Sequence, residues 1–270
     1  MSDVFLLTGC ASGIGRHLTR ALSTLGHQVM ATDINEAGLA EAAQTDGWTE
    51  SLVLRRRLDV RDGADWQRAL DATVTAFGRL DVLLNIAGYL LPGWSWEIDA
   101  TQIDRHLDIN VKGVMHGVNV VGKYFVSKGK GHVINIGSLA SLAPVPGLSL
   151  YSASKFAVRG FTLAVAQELI PKGVKVTLVM PDAVQTPMLD LQVDYEQAAM
   201  TFSGPRALTV EDIERAIIDE VLPNAPLELP LPFTRGAVAR FATFLPAAAM
   251  TLGPLFTKKG RAEQSKRKKK

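Results

Sequence analysis

Four runs in this chain, "VFLLT", "DVLLN", "HVINI" and "VKVTLVM", are short and mostly apolar, without alternation sustained along them. A strand that shows one face to water alternates; one that does not must be covered on both faces. Between these runs lie segments of helical period, so successive strands are joined by helical crossovers and pair in parallel. Crossovers of that kind are right-handed. The fold class expected is α/β: a doubly wound parallel sheet with helices on both faces, in a single domain.

The order of elements follows from the same patterns. "VFLLTG" reads as a strand, "IGRHLTRALSTLG" as a helix, "QVMATD" as a strand and 36–45 as a short helix. "SLVLRRRLDV" contains a strand. "DGADWQRALDATVTAFG" offers an N-cap at its start and a stop at its terminal Gly. A long helix is expected over about 101–127, another over "SASKFAVRGFTLAVAQELI", and Pro181 ends the strand "VKVTLVM". Residues 182–208 have mixed polarity and read as a long excursion over the core. "VEDIERAIIDEVL" is helical, and the prolines of "LELPLPF" confine a last strand to the sheet edge.

Nothing resembling a linker interrupts residues 1–235, which are expected to form the one domain. Residues 236–257 make an apolar C-terminal segment broken by Pro246 and Pro254, and 258–270 a basic tail expected to be disordered. From Lys258 on there are eight Lys/Arg and one acidic residue, so the body before it is acidic, with 21 basic against 26 acidic residues. The basicity belongs to the tail, and no nucleic-acid partner is expected. The apolar segment and basic tail together could contact an anionic membrane surface; the alternative is a docked terminal segment with a solvated tail.

A single cysteine, Cys10, excludes an internal disulfide framework and fits a reducing compartment. The first residues contain no basic stretch followed by a long apolar run, so a cytoplasmic chain without a secretory signal is expected. No His, Cys, Asp and Glu cluster has metal-ligand spacing, and no metal is expected.

"TGCASGIG" follows the first strand and opens the first helix. Gly9, Gly13 and Gly15 let backbone approach a pyrophosphate at the helix N-terminus, with Thr8 and Ser12 offering hydroxyls. A glycine-rich turn without a ligand is the alternative. Asp33 stands 18 positions after Gly15, at the end of the second strand, where a carboxylate takes ribose hydroxyls and repels a 2′-phosphate. No Lys or Arg follows it closely, so NAD is favoured over NADP. Read blandly, Asp33 is a turn residue or a helix cap.

"YSASK" puts Tyr151 and Lys155 on one face of a helix. A phenol needs a nearby cation to act as a base at neutral pH, and Lys155 could supply it.

"TGCASGIG", "NIAG", Asn110, "INIGS" ending at Ser138, and "YSASK" occur in the order and spacing of the short-chain dehydrogenase/reductase family, which this chain resembles over roughly residues 4–190. The resemblance implies a Rossmann-type fold and an NAD-dependent oxidoreductase working on an alcohol or ketone. It implies Tyr151 as general acid and base, Lys155 holding the nicotinamide ribose, Ser138 binding the reacting oxygen, and Asn110 helping to hold a relay water. A polar helix residue satisfied by backbone is the alternative for Asn110. The cofactor would touch Gly9, Ser12, Gly13, Ile14, Asp33, Asp59, Val60, Asn85, Ala87, Gly88, Tyr151, Lys155 and Thr186. Homo-oligomers, common in the family, are expected.

Two positions depart from the family pattern: Ile86 stands for the second Asn of "NNAG", and Asp182 for the Gly that follows the proline. The stretches bordering the site carry Leu90, Leu91, Trp94, Leu142, Val145, Leu148, Met188, Leu189 and Phe202. Apolar walls of this kind suit a lipophilic small molecule, steroid-like, retinoid-like or long-chain acyl-derived. Loop packing or a subunit interface would also account for them. The competing function is a non-catalytic NAD-binding regulator or scaffold with a membrane-interacting tail.

Overall fold

The computed structural model describes residues 2–268. Strands β1 (Val4–Thr8), β2 (Gln28–Asp33), β3 (Val53–Arg57), β4 (Val82–Asn85), β5 (Gly131–Ile136), β6 (Val174–Pro181) and β7 (Glu228–Leu231) form one parallel sheet in the order β3-β2-β1-β4-β5-β6-β7. The proline-bearing β7 lies at the edge, as a strand with a missing amide must.

Helices α1 (Gly13–Thr24), α2 (Glu36–Asp46), α3 (Gly63–Phe77), α4 (Ala100–Leu107), α5 (Gly113–Lys128) and α6 (Ser149–Leu169) supply the crossovers. Short α7 (Pro187–Leu191), α8 (Val210–Arg215) and α9 (Leu222–Asn224) precede β7. The non-alternating strands are explained by two cores. Leu6 and Leu83 pack with Trp66, Val118 and Phe125 on one face, while Phe5, Leu7 and Leu84 pack with Leu18, Leu39 and Ile213 on the other. Local signals place the ends: the Asp62 carboxylate caps α3 through the Ala64 amide, and Gly78 at φ +78° ends it. The strand order reverses between β1 and β4, which leaves a crevice at their C-terminal ends.

The long helix expected over about 101–127 runs unbroken over 100–128, with a π-turn over Asp108–Lys112 that contains Asn110 and separates α4 from α5. The excursion over 182–208 is mostly short helical turns.

The C-terminus departs most from expectation. Helix α10 (Phe233–Phe244) begins before the boundary placed at 235, and α11 (Pro246–Arg267) runs through Lys258 without a break. The tail expected to be disordered is therefore helical through Arg267; Lys269 and Lys270 lie outside the described residues. Lys and Arg are good helix formers and suit a helix C-terminus. Tertiary contacts do the rest: Gln264 is buried and donates to the carbonyls of Gln192 (2.9 Å) and Tyr195 (2.7 Å).

Candidate active site

The turn after β1 is closed by its glycines. A Cβ on Gly15 would stand 2.2 Å from the Gly9 carbonyl oxygen, and Gly9 itself has φ +74°. Ser12 caps α1 with no side-chain bond, and no acidic residue lies in the first turn, so this N-terminus keeps its positive end for an anion. Asp33 is fixed beside it: one carboxylate oxygen accepts the Ala11 amide (3.0 Å) and the other the Asn35 amide (2.9 Å). The Thr8 hydroxyl also lines the cleft at the sheet end. It accepts the amides of Ile86 (2.9 Å) and Ala87 (3.0 Å) and pins the exit of β4 to the turn.

A cleft of about 1530 Å³ runs from this turn across the sheet end to the C-terminal helices. Gly9, Ser12, Gly13, Ile14, Asp33, Asp59, Val60, Ala87, Gly88, Ser138, Tyr151, Lys155 and Thr186 all line it. Thr186 sits over the glycine turn, its methyl 3.2 Å from where a Gly13 Cβ would stand. A glycine cradle, an uncompensated helix N-terminus and a carboxylate at the end of β2 fit a nicotinamide dinucleotide.

Asn85 does not line the cleft. Strand pleating turns its side chain inward, where the amide donates to Asn135 Oδ1 (2.8 Å), and Asn135 in turn donates to the Thr162 hydroxyl (2.9 Å). It ties β4 to β5 and α6. Asn110 also stands behind the wall, fully buried: its Oδ1 accepts the Tyr89 amide (2.6 Å), and its Nδ2 donates to the Tyr89 carbonyl and to the Ser154 hydroxyl, both at 2.9 Å. That side chain is fully engaged. The Ser154 hydroxyl passes the link on to the Tyr151 carbonyl (2.7 Å). Ser154 was not singled out from sequence, although it lies within "YSASK".

Tyr151 and Lys155 do meet. The Lys155 Nζ lies 5.6 Å from the centre of the Tyr151 ring and donates to the Ile136 carbonyl at 2.9 Å. Burial pushes the Tyr151 phenol up to about 12, opposed by the neighbouring Ser138 hydroxyl. Burial likewise brings the Lys155 ammonium down to about 8. The ammonium faces a carbonyl and the ring, so desolvation dominates over attraction. The phenol of the ligand-free protein is therefore a proton donor at neutral pH.

Asp182 lines the cleft and is ion-paired with Arg235 of α10. Burial raises its carboxyl, and Arg235 opposes the rise. Asp59 is held by Arg61 at 2.6 Å, which keeps its carboxyl below the usual range. Of the apolar residues expected at the substrate end, Leu90, Val145, Leu148, Met188 and Leu189 line the cleft, whereas Leu91, Trp94, Leu142 and Phe202 do not. Trp94 stacks on Trp96 instead, ring centres 5.6 Å apart. The structure adds an apolar wall from α10 and α11, including Val238, Phe241 and Leu252. It also adds Arg105 and Arg235, cations that the flanking stretches alone did not show. Among the described residues, no three His, Cys, Asp or Glu side chains converge as a metal site.

The short chain dehydrogenase family matches residues 3–196. The 3-alpha-(or 20-beta)-hydroxysteroid dehydrogenase of Mycobacterium tuberculosis is 40% identical over 191 residues, 70% of this chain and 72% of that protein. A crystal structure of a short chain dehydrogenase/reductase from Burkholderia phymatum in complex with NAD superposes with a TM-score of 0.80 at 27% identity, covering 91% of this chain and 95% of that one. ElxO with NADP bound superposes with a TM-score of 0.75 at 27% identity, covering 86% and 97%. The chain belongs to the short-chain dehydrogenase/reductase family and is an oxidoreductase of that family.

Proposed function

We propose that this protein interconverts a lipophilic secondary alcohol and its ketone, with NAD as the preferred cofactor. The observation that carries the reading is the meeting of Tyr151, Ser138 and Lys155 in one cleft whose far end is the glycine turn. When bound, the nicotinamide supplies the hydride acceptor or donor. The protein's part is the proton and the geometry.

Tyr151 carries the proton. In reduction its neutral phenol, held up to about 12, donates to the ketone oxygen; in oxidation its phenolate, formed by prior loss of the proton, receives the alcohol proton. Ser138 hydrogen-bonds the same oxygen and fixes it beside the phenol. Lys155, anchored on the Ile136 carbonyl, holds the ribose and supplies positive charge when the phenol must give up its proton. Asn110 takes a positioning role through Ser154, beside the part in holding a relay water that the resemblance implies. Thr186, above Gly13, holds the nicotinamide end.

NAD is favoured because the Asp33 carboxylate stands where a 2′-phosphate would be repelled, and the residues that follow it, Ile34 and Asn35, bring no cation. A lipophilic substrate is favoured by the apolar walls from the loops and from α10–α11, and the hydroxysteroid dehydrogenase relative supports it. The test is kcat/KM over steroid, retinoid and long-chain secondary alcohols against small polyols, each with NAD and NADP. Preference for lipophilic alcohols with NAD supports the reading; preference for charged polyols or for NADP contradicts it.

A further inference from the structure

Of the 19 exposed large apolar side chains, nine fall within residues 233–256. Phe233, Phe241 and Phe244 on α10, and Met250, Leu255 and Phe256 on α11 are exposed, Phe244 at 81% and Met250 at 78%. A patch of that kind on a protein with two well-filled cores marks a contact surface. These residues are not loosely attached. Gln264 is buried against the segment 192–195, a Cβ on Gly260 would overlap the Ala199 carbonyl, Arg240 pairs with Glu228, and Thr243 donates to the Leu142 carbonyl. The body thus fixes where the apolar side chains point.

Charge narrows what covers them. From 229 to 262 there is no Asp or Glu, while Arg235, Arg240, Lys258, Lys259 and Arg261 lie in that stretch. Arg235 and Arg240 are spent on Asp182 and Glu228. Lys258, Lys259 and Arg261 have no ion-pair partner among the described residues. A second copy applied to this face would bring the same uncompensated cations to the contact. An anionic lipid surface offers both things the patch lacks, an apolar phase and negative charge. Among the described residues no helix is long and apolar enough to cross a membrane, so the contact considered is with its surface.

The cleft reaches this same surface. Phe241, Met250 and Phe256 are at once exposed and part of the cleft wall, with Lys258 and Arg261 beside them. We propose that α10 and α11 dock on an anionic bilayer and open the substrate cleft onto it, so that the substrate enters from the lipid phase. This rests on the reading of the cleft as a lipophilic-alcohol site. It makes the substrate a membrane-dissolved alcohol or ketone, and makes α10–α11 both the anchor and the doorway.

The experiment uses the full chain, wild type and Phe244→Glu/Leu255→Glu, two exposed residues outside the cleft wall. Co-sedimentation is measured with phosphatidylcholine vesicles, with and without phosphatidylserine, at low and high salt. Wild type is expected to bind phosphatidylserine vesicles at least about tenfold more tightly than phosphatidylcholine alone, with the difference lost in high salt. The double variant is expected to bind them at least about tenfold more weakly. Its turnover of a water-soluble secondary alcohol stays unchanged, while its KM for a vesicle-dissolved alcohol rises. Wild type that stays in the supernatant, or a variant that binds as wild type does, overturns the docking. So does light scattering in which the variant breaks a larger assembly into a smaller one with vesicle binding unaltered, since a second copy would then cover the face. Failure of the enzymatic reading looks different: vesicle binding would persist while neither alcohol is turned over.

Discussion

Asp182, at the end of β6, is ion-paired with Arg235 of α10, and the pair ties the rim of the cleft to the C-terminal helices. The departure from the family glycine at this position thus has a partner far along the chain. Removing the cation leaves a largely buried carboxylate alone, so Arg235→Ala is expected to destabilise the protein by about 2–3 kcal/mol, and Asp182→Gly/Arg235→Ala to recover most of the loss. The sign of the pH dependence follows from the raised carboxyl of Asp182. A carboxyl raised in the fold opposes folding once ionised, so the defect of Arg235→Ala shrinks as pH falls from neutral into the carboxyl range. Urea denaturation at the two pH values checks both points.

Gly15 has no room for a methyl group, with the Gly9 carbonyl 2.2 Å from the position of its Cβ. Gly15→Ala is expected to cost about 2–3 kcal/mol through overpacking and to weaken dinucleotide binding, because the turn must open to accept it. Thermal denaturation and NADH fluorescence titration report the two effects. Full affinity with unchanged stability would mean that the turn is looser than the structure shows.

Asp33 holds the turn through the Ala11 amide and faces the cleft. Asp33→Ala is expected to weaken NAD binding by about tenfold or more and to bring NADP closer to it, since a repelling charge is removed. Dissociation constants for both nucleotides decide it. A wild-type preference for NADP would overturn the assignment.

Much of this architecture could be read from the chain because the signals were local. Mostly apolar strands required two covered faces, Asp62 and Gly78 bounded α3, and the prolines of "LELPLPF" placed the last strand at the edge. The glycine turn and the Tyr151–Lys155 pair were legible for the same reason, since spacing along one helix or one turn sets their geometry. What escaped depends on contacts distant in sequence. Nothing near Asp182 announced Arg235, and nothing in a basic tail announced that Gln264 would be buried over residues 192–195. Asn85 lay in a motif but faces Asn135, because its side chain follows the strand pleat. The burial that pushes the Tyr151 phenol up and the Lys155 ammonium down was not visible in sequence, although their adjacency was.

Lys155 is buried, and its ammonium is brought down to about 8 from an ordinary value of 10.5. Below pH 8 the ligand-free fold must keep a buried charge, and the unfolded chain binds the proton more readily. This contribution to stability therefore rises as pH climbs from about 8 toward 10.5. Lys155→Met, which removes the charge, is expected to be more stable than wild type by about 1–2 kcal/mol at neutral pH while losing activity. The gap is expected to narrow at about pH 9.5. Urea denaturation of the two proteins without cofactor measures it, and a gap that widens with pH would contradict the burial argument.

The most direct measurement is single-turnover NADH formation from a lipophilic secondary alcohol, comparing wild type with Tyr151→Phe at saturating NAD. Loss of the phenolic proton carrier is expected to slow hydride transfer by about 10²–10⁴-fold, with NAD affinity unchanged. Equal rates in the two proteins would contradict the assignment of the proton to Tyr151.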